Sequence, residues 1–186
     1  MRRMFGWLRT REQQLIMWVN RRRGHRKFHR WVGKWLSVVT HMGGATFTVL
    51  SSLLFALLAP APWNMTGWHC FTAVVLSHLP VFIVKKKFKR LRPYQALEGV
   101  QIGRKPLVDS SFPSGHTTAI FAWLIPIVMA SGSWFVVVLP IAIVIGVSVG
   151  WSRMYLGLHY PSDVAVGALI GTLTAVLVEL NWVTTA

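Results

Sequence analysis

The chain has 186 residues, is 53% hydrophobic, and carries 20 Lys and Arg against 5 Asp and Glu, a net charge of +15. That apolar content, drawn out in long runs, excludes an ordinary soluble domain, and the length suits one domain. The basic residues fill only a few segments, which excludes a nucleic-acid-binding face in spite of a pI near 11.5, and the single Cys70 excludes an intrachain disulfide and any multi-cysteine metal cluster.

Residues 1–34 hold eleven Arg and Lys. Leu15, Ile16, Trp18 and Val19 recur at helical spacing, as do Phe28, Trp31, Val32, Trp35 and Leu36. This pattern predicts a basic amphipathic helix lying in the membrane interface, facing anionic lipids. No cleavable signal peptide is evident, since the first apolar stretch of spanning length starts only near Trp35.

Five candidate spans follow, at roughly 35–58, 68–84, 114–130, 134–151 and 162–180, none containing Lys or Arg. Trp63, Trp68, Trp134, Trp151 and Trp182 mark their ends as interfacial anchors. Gly146/Gly150 and Gly167/Gly171 form small-xxx-small pairs that predict close helix packing. The expected fold is therefore all-α: a polytopic transmembrane helix bundle of about five spans plus an N-terminal amphipathic interfacial helix. The expected organisation is a basic segment 1–34 followed by a transmembrane domain 35–186.

Three short segments hold almost every polar group near the membrane core. Lys85-Lys86-Lys87-Phe88-Lys89-Arg90-Leu91-Arg92-Pro93 ends the second span, Pro113-Ser114-Gly115-His116 opens the third, and Ser152-Arg153, His159 and Asp163 join the fourth to the fifth. Counting crossings puts all three at one membrane face. Lys85, Arg92 and Arg153 are fixed cations, and an Arg fork suits phosphate oxygens. Ser114 is a natural N-cap and Gly115 permits close backbone approach, so the N-terminus of the third span faces an anion. Two histidines, one neutral and one charged, can act as nucleophile and acid. Asp163, four residues after His159, could bond one ring nitrogen and leave the other free to attack. His41 and His78 lie inside spans and are read as helix-to-helix hydrogen bonds, while His69 and Cys70 receive no role. Arg90, Arg104 and Lys105 could meet a second phosphate or lipid headgroups.

These residues resemble the type 2 phosphatidic acid phosphatase family. Its pattern is a lysine and, after six residues, Arg-Pro; then Pro-Ser-Gly-His; then Ser-Arg, five residues, His, three residues, Asp. All three parts match without substitution, at Lys85…Arg92-Pro93, Pro113-Ser114-Gly115-His116 and Ser152-Arg153…His159…Asp163. The resemblance implies a metal-independent lipid phosphatase acting through a phosphohistidine, with no cofactor. It implies His159 as nucleophile, Asp163 as its orienter and His116 as proton donor, with Lys85, Arg92, Ser114, Gly115 and Arg153 binding phosphoryl oxygens.

The expected substrate is a lipid phosphomonoester of the phosphatidylglycerophosphate or phosphatidate type. The alternatives are an undecaprenyl-diphosphate phosphatase or a lipid phosphotransferase. Many bacterial members of the family have six spans and a site outside the cytoplasmic membrane. Five spans here put residues 1–34 and the site on one side, with all 20 Lys and Arg. The positive-inside bias then makes that side cytoplasmic. The expected partners are a lipid phosphate and membrane lipids, with no nucleic acid, and the sequence specifies no oligomeric state.

Overall fold

The computed structural model describes residues 2–21, 27–102 and 106–183. The described residues form helices and loops, in the order α1 (Arg2–Arg21), α2 (Lys27–Val39), a 3-10 turn (Thr40–Gly43), α3 (Ala45–Leu58), α4 (Trp63–Lys87), α5 (Pro93–Ala96), α6 (Gly115–Ala130), a second 3-10 turn (Gly132–Trp134), α7 (Phe135–Tyr155) and α8 (Pro161–Val183). The all-α expectation holds.

Among the described residues, three helices are long and apolar enough to cross a membrane: Trp63–Lys87, Gly132–Tyr155 and Pro161–Trp182. A fourth span exists if the pair Trp31–Gly43 and Ala45–Leu58 is counted as one, although it bends by 59° at the break. The expected first span, 35–58, is thus parts of two helices joined by a 3-10 turn. The cause lies at Gly43, whose added Cβ would stand 2.7 Å from the His116 carbonyl oxygen. The chain is pressed there against the start of α6. The boundary expected between residues 34 and 35 falls within α2. Helix α6 has 16 residues, about 24 Å at 1.5 Å per residue, short for a span. It starts beside α8 and ends, through the second 3-10 turn, at the start of α7.

Helix α6 is central, packed against α4, α7 and α8. Thr117, Ala119, Ile120 and Ala122 are fully buried on it or nearly so. The predicted Gly167/Gly171 pair explains the close approach of α8: a Cβ at Gly167 would lie 2.6 Å from the Ser114 carbonyl oxygen, and one at Gly171 would run into the Thr118 carbonyl. In the other pair a Cβ at Gly150 would meet Val164 at 2.8 Å. The outward faces carry exposed leucine, valine and isoleucine, among them Leu54, Leu57, Leu76, Leu79, Val144, Val147, Leu173 and Leu177. Apolar side chains outside and satisfied backbone inside suit a helix bundle in hydrocarbon.

Of the two histidines expected to bond between helices, His78 departs from that reading. His78 Nδ1 bonds the Val74 carbonyl of its own helix at 2.7 Å. A helix-to-helix contact is made by His69, whose Nδ1 lies 2.8 Å from Glu179 Oε1 on α8. The sequence hides this because an i−4 carbonyl is always within reach of a helical side chain, whereas His69 and Glu179 are 110 residues apart.

Helix α1 is amphipathic as expected, but it also docks on the bundle. Ile16 and Val19 are buried in the core with Tyr155, Leu156 and Leu158, while Leu15 and Trp18 stay exposed. Asn20 clamps its end: Nδ2 donates to the Gln101 and Tyr155 carbonyls at 2.9 and 3.0 Å, and Oδ1 accepts from the Gln101 N–H at 2.7 Å.

Candidate active site

Five element ends build one cluster. Lys85 stands in the last turn of α4, Arg92 caps α5, Ser114 caps α6, Arg153 lies in the last turn of α7, and Asp163 in the first turn of α8. Local sequence explains each end. Pro93 starts α5 without needing an N–H, and Pro161 does the same for α8. Ser114 Oγ accepts from the Thr117 N–H at 3.4 Å and pairs with Thr117 Oγ1 at 2.9 Å, the predicted cap. The Ser114 N–H donates to the Asp163 carbonyl at 2.9 Å, which joins the start of α6 to the start of α8. A Cβ at Gly115 would touch only Val81, at 4.0 Å, so this backbone faces open room. His116 follows in the same turn and is half-buried.

His159 is buried in the connection between α7 and α8. Its backbone N–H and that of Leu158 fold back on the Arg153 carbonyl, at 3.3 and 3.0 Å. Its Nδ1 lies 2.6 Å from the Ser111 carbonyl oxygen. A carbonyl can only accept, so Nδ1 carries the proton and Nε2 keeps its lone pair. Arg92 Nη1 stands 3.2 Å from that Nε2. Burial above all, then the positive charges of Arg153, Arg92 and Lys85, hold the His159 pKa well below the usual histidine value. The imidazole is therefore neutral, and competent as a nucleophile, at neutral pH.

Arg92 is almost fully buried and every arm of its fork is engaged. Nε donates to the Asp109 carbonyl at 3.1 Å, Nη1 to the Leu158 carbonyl at 3.0 Å, and Nη2 to Asp109 Oδ1 at 2.7 Å. Lys85 Nζ pairs with the other oxygen of the same carboxylate. Arg153, also buried, donates from Nη1 to Thr40 Oγ1 at 3.0 Å. The predicted phosphate-binding residues thus collect at the end of the bundle that holds His159 and Asp163.

The structure departs from the spacing argument at Asp163. Its Oδ2 lies 3.6 Å from His159 Nδ1, too far for a hydrogen bond, and accepts the Tyr160 N–H at 2.8 Å. Its Oδ1 accepts from Arg90 Nη1 at 2.7 Å. The expected orienting hydrogen bond is made by the Ser111 carbonyl, which leaves Asp163 near the ring but not bonded to it. Asp163→Asn is therefore expected to lower kcat roughly ten- to hundredfold. That is short of the ~10⁴ lost where the carboxylate itself fixes the tautomer. Steady-state turnover of the purified variant checks it, and a loss of four orders would mean that Asp163, not Ser111, sets the tautomer.

Arg90 and Glu12 extend the cluster and were not foreseen in this role. Arg90 donates from Nη1 to Ser162 Oγ at 2.7 Å and from Nη2 to Glu12 Oε2 at 2.6 Å, and its guanidinium lies 4.1 Å from the centre of the Tyr160 ring. Glu12 Oε1 also accepts the Ser162 N–H at 2.9 Å. Helix α1 is thereby tied to the first turn of α8. Arg104 and Lys105 lie outside the described residues.

The model of the PAP2 superfamily matches residues 66–185. The chain belongs to that superfamily. Bacitracin transport permease protein BcrC of Bacillus licheniformis is 35% identical over 134 residues, 71% of this chain and 63% of its own length. Decaprenylphosphoryl-5-phosphoribose phosphatase of Mycobacterium tuberculosis is 31% identical over 134 residues, 70% of this chain and 69% of its own length. An undecaprenyl-diphosphatase of Sulfolobus acidocaldarius is 28% identical over 100 residues, 54% of this chain and 45% of its own. Among solved structures, LpxE of Aquifex aeolicus superposes with a TM-score of 0.76 at 23% identity, covering 89% of this chain and 93% of that one. The transmembrane PAP2 type phosphatidylglycerolphosphate phosphatase of Bacillus subtilis gives 0.76 at 21% identity, covering 92% and 84%. At these identities the likeness shows a shared fold.

Proposed function

We propose that this PAP2 member is a membrane lipid phosphatase that hydrolyses a lipid phosphomonoester through a phosphohistidine on His159. The observation that carries this reading is the tautomer of a buried, neutral imidazole, fixed by the Ser111 carbonyl at 2.6 Å, with its free Nε2 beside Arg92. In the first step Nε2 attacks phosphorus, the bond to the lipid oxygen breaks, and that oxygen takes a proton from His116. In the second, water gives a proton to His116 and attacks phosphorus, the P–N bond breaks, and inorganic phosphate leaves. Lys85, Arg92, Arg153 and the N–H groups at the start of α6 stabilise charge on the phosphoryl oxygens, and this transfer depends chiefly on such positioning.

Among the lipid classes, a cytoplasmic site favours phosphatidylglycerophosphate or phosphatidate. A specific observation favours a second class: two of the relatives carry decaprenylphosphoryl or undecaprenyl in their names. Phosphate release by the purified protein from phosphatidate, phosphatidylglycerophosphate and undecaprenyl diphosphate, each in excess EDTA, tests the function and separates the classes. Release from at least one is expected, since side chains supply the positive charge at the seat. Activity lost on chelation and restored by a divalent ion would contradict the reading.

Helix α1 and the active site are proposed to face the cytoplasm. Glu12 and Asn20 tie α1 to the site end, and the eleven Lys and Arg of residues 1–34 resist crossing, at roughly 2.5–3.5 kcal/mol each at a helix centre. Thiol labelling of intact cells, with Cys70→Ser as background, is expected to mark Ser133→Cys at the far connector and spare Glu98→Cys at the site end. The reverse pattern would place the site outside.

A further inference from the structure

The phosphate seat is held by a carboxylate of the chain itself. Asp109 presents one oxygen to Lys85 Nζ and the other to Arg92 Nη2, the latter at 2.7 Å. These are two of the three cations that the proposed function assigns to phosphoryl oxygens, and the inference rests on that assignment. The carboxylate bridges them through separate oxygens, as two oxygens of a phosphoryl group would. It sits on the guanidinium that touches the attacking nitrogen. We propose that Asp109 is a built-in competitor for the phosphate seat, which must swing out when a phosphoryl group enters and returns to expel inorganic phosphate after turnover.

The placement of Asp109 fits that role. It lies in the segment 106–114, which has no helix, and half of its side chain is exposed. Two side-chain torsions suffice to move it off the seat. The backbone beside it stays anchored, because the Asp109 carbonyl holds Arg92 Nε and the Ser111 carbonyl holds His159. The nucleophile therefore keeps its tautomer while the competitor leaves. Burial raises the Asp109 pKa, but the bonds and charges of Lys85 and Arg92 outweigh this and bring it down to about 2. The competitor is thus charged wherever the enzyme works.

The consequence is a weaker seat for every phosphate, by one factor. A lipid phosphate is still retained by its tail in the bilayer. Inorganic phosphate has only the seat, so the competitor limits product inhibition. This separates Asp109 from a residue that merely supports the fold, whose loss would weaken phosphate binding.

The test is orthophosphate inhibition of the full-length enzyme in detergent, for wild type, Asp109→Asn and Asp109→Glu. The expected result is competitive inhibition of wild type, with Ki about tenfold lower in Asp109→Asn, equivalent to about 1.4 kcal/mol. KM should fall in parallel, and Asp109→Glu should return both toward wild type. A Ki unchanged or raised in a folded Asp109→Asn, while orthophosphate still competes in wild type, would overturn this proposal and leave the phosphatase reading standing. If orthophosphate fails to compete in wild type, the seat itself is misassigned and both fall. Should the Asn variant not fold, Asp109→Ser gives the same readout.

Discussion

Replacing His159 by Ala is expected to abolish phosphate release, by at least four orders of magnitude, while the protein remains folded. His159 is buried and neutral, and its Nε2 has a lone pair next to the Arg92 fork. Among the described residues, His159 is the one shown with its ring nitrogen against that fork. His116 is half-buried in the first turn of α6. Loss of a nucleophile removes the covalent path entirely and leaves only binding and charge stabilisation. The fold should tolerate the change. The ring donates one hydrogen bond, to Ser111, and neighbouring Leu158 and Tyr160 stay packed in the core. Phosphate release by the purified variant, with helical content followed by circular dichroism, checks both halves. Full activity in a folded variant would remove His159 from the chemistry.

The next largest effect is expected at Arg92, where Lys keeps the charge but loses the planar fork. Arg92 donates to the carbonyls of Leu158 and Asp109, contacts His159 Nε2 and pairs with Asp109. A lysine can hold one or two of these positions. Removing a single well-placed donor to a developing oxyanion costs roughly 10²–10³ in rate, and Arg92→Lys is expected to lower kcat/KM by that amount. Most of the loss should fall on kcat, because the guanidinium lies against the attacking nitrogen. A variant within twofold of wild type would show that Arg92 only holds the loop.

The residues whose structural role depends on their type were legible in the sequence. Ser114 could be read as a cap, Pro161 as a helix start, and Gly167 and Gly171 as a close helix contact, because each signal is local. The convergence of Lys85, Arg92, Arg153 and His159 followed from counting crossings. Ser111 could not be found this way: it acts through its backbone carbonyl, which every residue has. The Glu12–Arg90 pair joins positions 78 apart and depends on α1 docking, which its basic amphipathic pattern does not specify. One signal was available for it. In a chain with only five acidic residues, Glu12 and Asp109 stand out against the surplus of bases, and both sit on cations at the site. The break in the first span is local in part, since Gly43-Gly44 marks it, but the bend is set by the approach of His116 from α6.

The proposed mechanism passes a phosphoryl group through His159, and trapping that intermediate tests it most directly. Purified enzyme would be mixed with a lipid phosphate labelled at phosphorus, denatured within one turnover, and the labelled residue located by peptide mass spectrometry. Label is expected on His159 in a linkage that is stable in alkali and lost in acid, as a P–N bond is, and none in His159→Ala. Rapid turnover with no labelled protein at any quench time, or label that persists when His159 is replaced, would contradict it.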